Sequence, residues 1–339
     1  MPNYTMQAPA GQGFDPADVL HDLSASGREN PWVELKVQSQ IMATALQLID
    51  EGPGQRMALC ADTLYFRRKE AGGLVLDTAR FCRARLCPIC QWRRSLKYAG
   101  QAYQIVQWLD KRRADQHAKP YAWLMLTLTI RNVPGEKLGK GLDQLQKGWR
   151  ALSRSKPWAR IVRGAMRSVE ITYNADREDY HPHMHIMCAV LPSYFSGREY
   201  IAQDEWRTLW QECAGLDYAP QVDVHRVRRR GEASDNAALW AAIAETMKYT
   251  CKSRDLLDPS DVDKTVEVLG HLYRAAKGRR FAGFTGEVKE ARKALKLDDV
   301  EDGDLVHVGD QDTGEEKAPV MAWGWYTGPR LYLKMPKGG

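Results

Sequence analysis

The stretch that most constrains this 339-residue chain runs from Asp179 to Val190 and carries three of its eight histidines. Its second half is apolar, which predicts a buried strand. Because side chains two residues apart on a strand lie on the same face, His183 and His185 should stand side by side. Two neutral imidazoles on one face form half of a divalent-metal site, unless they are ordinary hydrogen-bonded histidines at a strand end.

The segments around this strand predict the fold class. Strands are predicted over 121–130, 167–173 and 221–227, and helices over 30–50, 92–113, 136–154, 203–213 and 236–252. A polar turn over 174–179 should join the second of these strands to the histidine strand as a hairpin. This order predicts an α+β fold, with a central antiparallel sheet and helices mainly on one face.

The chain divides into four predicted parts. They are a flexible arm over 1–29, a helix with a cysteine segment over 30–100, a catalytic domain over 101–290, and an acidic linker with a C-terminal segment over 291–339 that packs back on the body. The first helix should begin at Asn30, a capping residue followed by Pro31. The run Gly52-Pro53-Gly54 should end it.

Four cysteines form a second candidate site. They are Cys60, Cys82, Cys87 and Cys90. The tight Cys87-Pro-Ile-Cys90 knuckle favours a closed tetrahedral zinc site with a structural role. A redox pair is the alternative, although no thioredoxin-like strand precedes the knuckle. Three further cysteines are interpreted as core residues: Cys188, Cys213 and Cys251.

The composition is that of a soluble globular protein, with 44% hydrophobic and 27% charged residues. A net charge of +6 is a modest bias toward polyanions and does not by itself separate a DNA-binding protein from a basic enzyme. Four arginines could contact phosphates: Arg226, Arg228, Arg229 and Arg230. No signal peptide or membrane-length apolar run is visible, so a cytoplasmic protein with reduced thiols and no membrane partner is expected.

Glu170 lies in the middle of an apolar strand, where a carboxylate needs a partner. If the hairpin pairs as predicted, Glu170 can approach His183 and His185. Two imidazoles and a carboxylate with open positions suit Mg²⁺ or Mn²⁺. Two alternatives remain open: Glu170 forms a salt bridge with Arg167, or His181 or a water replaces it at the metal.

A later helix presents a second reactive set. Residues three and four apart share a helix face, so Glu245, Tyr249 and Lys252 should form one row. A phenol can attack phosphorus, an ammonium can offset phosphate charge, and a carboxylate can activate water. The alternative is a solvated helix face with a half-buried tyrosine.

Four motifs in order carry a family resemblance. They are Cys82 to Trp92, Leu126 to Pro134, His181-Pro-His-Met-His185, and Tyr249 with Lys252. Over residues 30 to 290 the chain resembles the single-tyrosine HUH endonucleases, and within them the rolling-circle replication initiators of small plasmids. Position 253 is serine, so the chain lacks the second tyrosine of the two-tyrosine relatives.

The resemblance implies a mechanism and a set of partners. Tyr249 would nick one strand at a plasmid origin and form a 5′-phosphotyrosine. His183 and His185, with Glu170 as a third ligand, would hold Mn²⁺ or Mg²⁺, with His181 in support, and Glu245 would assist hydrolysis at termination. The partners would be single-stranded or hairpin origin DNA, a host helicase and a replication polymerase. No oligomeric state follows from the resemblance.

Three rival functions remain at this point. A transposase of the same catalytic class would share these motifs, and the flanking DNA would distinguish it. A non-haem iron oxygenase would use two histidines and a carboxylate but would not need Tyr249. A non-catalytic zinc-containing DNA-binding protein would show no metal-dependent nicking.

Overall fold

The computed structural model describes residues 14–24, 26–69, 72–227, 237–247, 256, 261–308 and 319–336. The chain forms two compact units. Unit 1 comprises Met1–Lys97, Leu257–Leu269 and Val300–Gly339, and unit 2 comprises Tyr98–Leu256 and Gly270–Asp299.

The described residues form both helices and strands, which are interspersed along the chain. The helices are α1 (Trp32–Ile49), α2 (Glu51–Ala58), α3 (Pro88–Asp115), α4 (Leu138–Leu152), α5 (Lys156–Ile161), α6 (Gln203–Ala214), α7 (Ala237–Thr246), α8 (Val262–Ala276) and α9 (Gly286–Ala294). The strands are β1 (Thr63–Arg68), β2 (Leu74–Ala79), β3 (Ala122–Thr129), β4 (Val133–Pro134), β5 (Val162–Asn174), β6 (Asp179–Val190), β7 (Val222–Val227), β8 (Gly283–Thr285), β9 (Met321–Tyr326) and β10 (Leu331–Lys334).

Unit 2 is built on an antiparallel sheet with the strand order β7-β3-β6-β5-β8, and β4 also pairs with β6. The predicted hairpin is present, because β5 and β6 pair from Asn174 opposite Asp179 along most of their length. The α+β class with antiparallel sheets is confirmed. Strand β5 begins at Val162, five residues before the predicted start, and four of its first five residues are buried.

One face of this sheet packs against three helices. Met125, Met166 and Met187 lie on that face and are at most 1% exposed. They form one cluster with apolar residues of α3, α7 and α9. Burying a side chain of this size stabilises the fold by about 1.5–3 kcal/mol. The opposite face is buried as well, since Leu126 and Ile186 alternate with the methionines and are fully covered.

Unit 1 contains a second antiparallel sheet with the order β10-β9-β1-β2. The C-terminal segment packs back through β9, which pairs with β1. The described part of the N-terminal segment is also bound in this unit: the Leu20 amide donates to the Tyr332 carbonyl, and Asp22 accepts from the Trp32 indole at 2.7 Å.

The ends of α1 differ from the prediction. Asn30 does not cap the helix. Its amide donates to the Asp22 carboxylate at 2.9 Å, and Pro31 takes the cap position. The Gly52-Pro53-Gly54 run does not end α1 either, since it lies inside α2. Pro53 fits there because the first amides of a helix have no intrahelical acceptor.

Candidate metal centres and active site

Unit 1 brings the four predicted cysteines into one cluster. Cys60 follows α2, Cys82 follows β2, and Cys87 and Cys90 stand at the start of α3. Buried Lys36 fixes the first of these positions by donating to the Cys60 carbonyl at 2.7 Å. The four sulfurs lie within 4.8 Å of one another.

The spacing of the sulfurs fits a tetrahedral ion. The Cys90 sulfur lies 3.6 Å from the sulfurs of both Cys60 and Cys82. Zinc–sulfur bonds of about 2.3 Å give a tetrahedron with edges of about 3.8 Å. Backbone amides support the cluster, since Cys82 donates to the Cys60 sulfur and Arg83 donates to the Cys90 sulfur. These residues could therefore hold a structural zinc ion with all four positions filled.

Unit 2 brings Glu170, His183 and His185 together across the β5–β6 hairpin. Glu170 pairs directly with His183 in the strand register. One carboxylate oxygen, Oε2, lies 3.2 Å from Nε2 of His183 and 3.1 Å from Nε2 of His185. The three side chains are 7–11% exposed. The sheet therefore holds three donor atoms at one point.

The contacts of the outer nitrogens, Nδ1 of His183 and His185, determine whether the inner nitrogens, Nε2, can donate or accept. The His181 carbonyl lies 3.2 Å from Nδ1 of His183 and can only accept, so a hydrogen bond between them requires the ring proton on Nδ1. In the neutral ring, Nε2 of His183 then directs a lone pair at the Glu170 carboxylate. Two facing lone pairs repel, so the arrangement calls for a cation between them, either a proton or a metal ion.

The distances between the donors suit a divalent ion. Ligand bonds of about 2.0–2.2 Å place neighbouring octahedral ligands about 2.8–3.1 Å apart. The observed separations of 3.1 and 3.2 Å are close to that range. Burial alone would raise the pKa of Glu170, but hydrogen bonds and charge from His183 and His185 hold that pKa well below its usual range. The carboxylate is therefore ionised and suited to bind a cation.

Glu245 lies at the open side of this centre. Its Oε1 atom is 3.8 Å from Nε2 of His185, and its side chain is 42% exposed. The end of α7 is fixed to the sheet, because the buried Ser168 hydroxyl donates to the Thr246 carbonyl. The Thr246 hydroxyl in turn donates to Ala242 at 2.8 Å. A second carboxylate is thus held beside the three donors while remaining accessible to solvent.

Several predicted site residues lie outside the described part of the chain. They are Tyr249, Lys252, Arg228, Arg229 and Arg230, as well as Cys251. Arg226 is described, and its guanidinium carbon lies 4.6 Å from the centre of the Phe195 ring.

His181 lies beside the centre, with its ring stacked against His183 at 5.3 Å. Its Nδ1 atom contacts the Asn132 oxygen at 2.7 Å, and Asn132 donates to Asp179 at 2.8 Å. Burial lowers the pKa of His181, and the neighbouring His183 adds to this effect. His181 is thus tied to the loop after β3.

Arg167 is not the partner of Glu170, which corrects that alternative. Residues three apart on a strand lie on opposite faces. The Arg167 guanidinium donates instead to the Gln146 side chain at 3.1 Å and lies 5.5 Å from the Trp149 ring.

Two residues of the site were not predicted from the sequence. The Thr127 hydroxyl lies 3.2 Å from Nδ1 of His185, and Ser168 anchors α7. Thr127 and Thr129 alternate with leucines in β3, and this placement of hydroxyls on one face was the available signal. Cys188 is fully buried in β6, which raises the pKa of its thiol, as suits a core residue.

Comparisons with known proteins identify the family. A family model described as "Replication protein" matches residues 73–333. "Protein rep" of Streptococcus pneumoniae serotype 2 (strain D39 / NCTC 7466) is 36% identical over 94% of this chain and 97% of its own length. "Protein rep" of Bacillus amyloliquefaciens is 34% identical over 93% of this chain and 97% of its own. The protein of that name from Lentilactobacillus hilgardii is 37% identical over 86% and 90%.

No solved structure matches the chain significantly. Among the described helices, none combines the length and apolar character needed to cross a membrane. The length and identity of the matches to Rep proteins decide the assignment. The chain belongs to the Rep family of plasmid replication initiators.

Proposed function

We propose that this initiator nicks one strand of its plasmid origin by using Tyr249 as the nucleophile. The observation that carries the proposal is the convergence of Glu170, His183 and His185 beside Glu245. Tyr249 follows Glu245 by four residues in the sequence. The phenolate oxygen attacks the scissile phosphorus, and the bond from phosphorus to the 3′ oxygen breaks. The products are a 5′-phosphotyrosine and a 3′-hydroxyl that a polymerase can extend.

Glu170, His183 and His185 are proposed to hold Mn²⁺ or Mg²⁺. A bound divalent ion would polarise the scissile phosphate. The protein orients these ligands through its own contacts, because Thr127 and the His181 carbonyl fix the outer nitrogens of the two imidazoles. Lys252 is proposed to offset charge on the phosphate. The arginines at 226 and 228–230 are proposed to contact the strand through its phosphates.

Glu245 is proposed to act at termination. Its half-exposed carboxylate can accept a proton from water that attacks the phosphotyrosine. The phosphate is then released from Tyr249, and the phenol is restored. Transfer to a 3′-hydroxyl is the alternative outcome of the same intermediate. The four-cysteine cluster is proposed to hold zinc, and a host helicase and polymerase are the proposed partners on origin DNA.

The experiment is the capture of a covalent adduct. The full chain is incubated with Mn²⁺ and a labelled single-stranded oligonucleotide from its origin, and the products are separated on a denaturing gel. We expect an adduct with the natural protein and none with Tyr249→Phe. Tyr200→Phe, which changes a tyrosine that is 54% exposed, is the matched control and should form the adduct normally.

Two outcomes would contradict the proposal. An undiminished adduct with Tyr249→Phe would remove the nucleophile, and no adduct with the natural protein would favour a non-catalytic DNA-binding role. Glu245→Gln should still form the adduct but release it more slowly. Unchanged release would remove Glu245 from termination.

A further inference from the structure

An open cavity of about 410 Å³ adjoins the candidate catalytic centre in unit 2. It lies where β3 ends and β6 begins, against the segment that follows α6. The polar and aromatic side chains lining it include Thr129, Arg131, Asn132, Arg177, His181 and Tyr218. The mechanism proposed above does not use Arg131, Arg177 or Tyr218.

The cavity lies next to the proposed metal ligands. Thr129 pairs with His183 in the strand register, and the His181 ring stacks on that of His183. Both Thr129 and His181 also line the cavity. A DNA strand with one phosphate at Glu170, His183 and His185 would therefore have a neighbouring nucleotide within reach of this cavity.

A flat surface is prebuilt at the cavity wall. The Arg131 guanidinium carbon lies 3.8 Å from the centre of the Tyr218 ring. The Arg131 backbone amide donates to the Tyr218 phenol oxygen at 2.5 Å, which fixes the two residues to each other. Unstacked bases bind on tyrosine rings and on guanidinium planes. The Arg131 side chain is 62% exposed, so it is accessible for such a contact.

The same cavity can bind phosphate. The Arg177 side chain is 63% exposed and uses Nε to contact Asp179 at 3.1 Å. Arg131 also has one carboxylate nearby, since its Nη2 lies 4.0 Å from Asp217. A guanidinium has five N–H donors, so one carboxylate contact leaves others for phosphate.

We propose that this cavity is a subsite for one nucleotide of single-stranded DNA beside the cleaved phosphate, with its base stacked on the Arg131–Tyr218 pair. The subsite rests on the proposed nicking function. Single-stranded DNA is the matching class because bases inside a duplex are stacked on each other and cannot reach such a surface. Arg177 would contact the phosphate of the same nucleotide.

The first test measures binding of a labelled single-stranded oligonucleotide that spans the cleaved site. Fluorescence anisotropy is recorded in a Tyr249→Phe background so that the strand stays intact. Tyr218→Ala and Arg131→Ala should each weaken binding about 5- to 150-fold. Tyr218→Phe keeps the ring for stacking but removes the acceptor of the Arg131 amide, so its loss of affinity should be smaller than that of Tyr218→Ala. Arg160→Ala, a change at a 58% exposed arginine outside the cavity lining, is the surface control.

A second measurement separates stacking from charge. Removing the base at the nucleotide beside the cleaved phosphate should weaken binding to the parent and have little further effect on Tyr218→Ala. Arg131→Lys keeps the charge but loses the planar guanidinium, so affinity should fall while its dependence on salt concentration stays as steep as in the parent. Arg177→Ala removes a charge, so the affinity should depend less steeply on salt concentration. The subsite would be overturned if removal of the base weakened binding equally in the parent and in Tyr218→Ala. Full affinity in both Tyr218→Ala and Arg131→Ala would overturn it as well.

The outcomes also separate this proposal from nicking itself. If the natural protein forms the covalent adduct while the cavity variants bind normally, the subsite is wrong and the nicking function stands. If no adduct forms but the stacking effects appear, the nicking function fails while a single-strand subsite stands. Thermal melting followed by circular dichroism shows whether each variant is folded, so that weak binding by a folded variant is not attributed to unfolding.

Discussion

The two candidate metal sites differ mainly in whether their coordination is complete. In unit 1, the sulfurs of Cys60, Cys82, Cys87 and Cys90 could provide four ligands, which is enough to fill a tetrahedral site. In unit 2, Glu170, His183 and His185 provide three donors, and half-exposed Glu245 stands at the open side. A closed set of thiolates suits structure, whereas an incomplete set of harder ligands leaves positions for a substrate oxygen.

The hydrogen bonds that hold the ligand side chains also differ between the two sites. Backbone amides of Cys82 and Arg83 donate to the sulfurs of the cluster, so we expect folding of the loop to be coupled to binding of the proposed zinc ion. The histidines are instead oriented by a hydroxyl and a carbonyl on a preformed sheet. Loss of the first metal should therefore damage the fold, and loss of the second should damage only activity.

The largest effect is expected from Cys90→Ser. It should abolish stoichiometric zinc and lower the free energy of unfolding by more than about 4 kcal/mol, because loss of a structural metal is among the most destabilising changes. Zinc content by mass spectrometry of the metal and urea unfolding provide the measurements. Cys188→Ala removes a buried thiol outside the cluster and should retain zinc. Full zinc occupancy in Cys90→Ser would show that the cluster is not the zinc site.

The next effect concerns the open site. Glu170→Gln keeps the shape of the side chain but removes its negative charge, so Mn²⁺ affinity should fall by more than about 100-fold. This loss exceeds the one expected when a residue that only hydrogen-bonds a metal ligand is removed. Isothermal titration of zinc-loaded protein measures this affinity. Glu178→Gln changes a carboxylate in the turn of the same hairpin and serves as the control. Equal Mn²⁺ affinity in the parent, Glu170→Gln and Glu178→Gln would argue against Glu170 as a metal ligand.

Thr127→Val tests the support of a ligand. The change removes the hydroxyl beside Nδ1 of His185 and leaves the volume nearly unchanged, so Mn²⁺ affinity should fall about 10- to 100-fold. The same titration applies. Thr208→Val removes a hydroxyl that bonds the backbone of its own helix, and it should leave the affinity unchanged. A Thr127 variant that binds Mn²⁺ as tightly as the parent would mean that the hydroxyl does not orient His185.

The smallest effect is expected from Ser168→Ala. It leaves the buried Thr246 carbonyl without its hydroxyl donor, which should cost about 1–3 kcal/mol of stability. Mn²⁺ affinity should be unchanged, while adduct formation should slow because Tyr249, the proposed nucleophile, follows the last residue of α7 by three positions in the sequence. Ser153→Ala, which removes a solvent-exposed hydrogen bond to the Arg150 carbonyl, is the control for urea unfolding. A normal adduct rate in the Ser168 variant would show that this anchor does not position the helix end for catalysis.

The sequence predicted the parts of the molecule that depend on local pattern. Strand β6 and its pairing with β5 followed from alternation and a polar turn, and they bring Glu170 opposite His183. The α+β class followed in the same way. These features are local because a hairpin fixes its register over few residues.

Long-range pairing was not predictable in this way. The sheet of unit 1 joins β1 to β9, strands more than 250 residues apart, and neither β1 nor β2 was predicted. The Gly52-Pro53-Gly54 run was misinterpreted because the same residues that end helices also fit their first turn. Thr127 was missed because a hydroxyl in an apolar strand shows no partner until the strands are aligned.

The most direct test of the division between the two sites is the rate of covalent adduct formation in zinc-loaded protein as Mn²⁺ is added. We expect no adduct without Mn²⁺ and a rate that saturates at the Mn²⁺ concentration that fills the site of Glu170, His183 and His185. Bound zinc should stay constant throughout. Zinc-loaded protein that cleaves at the full rate without Mn²⁺ or Mg²⁺ would contradict the account.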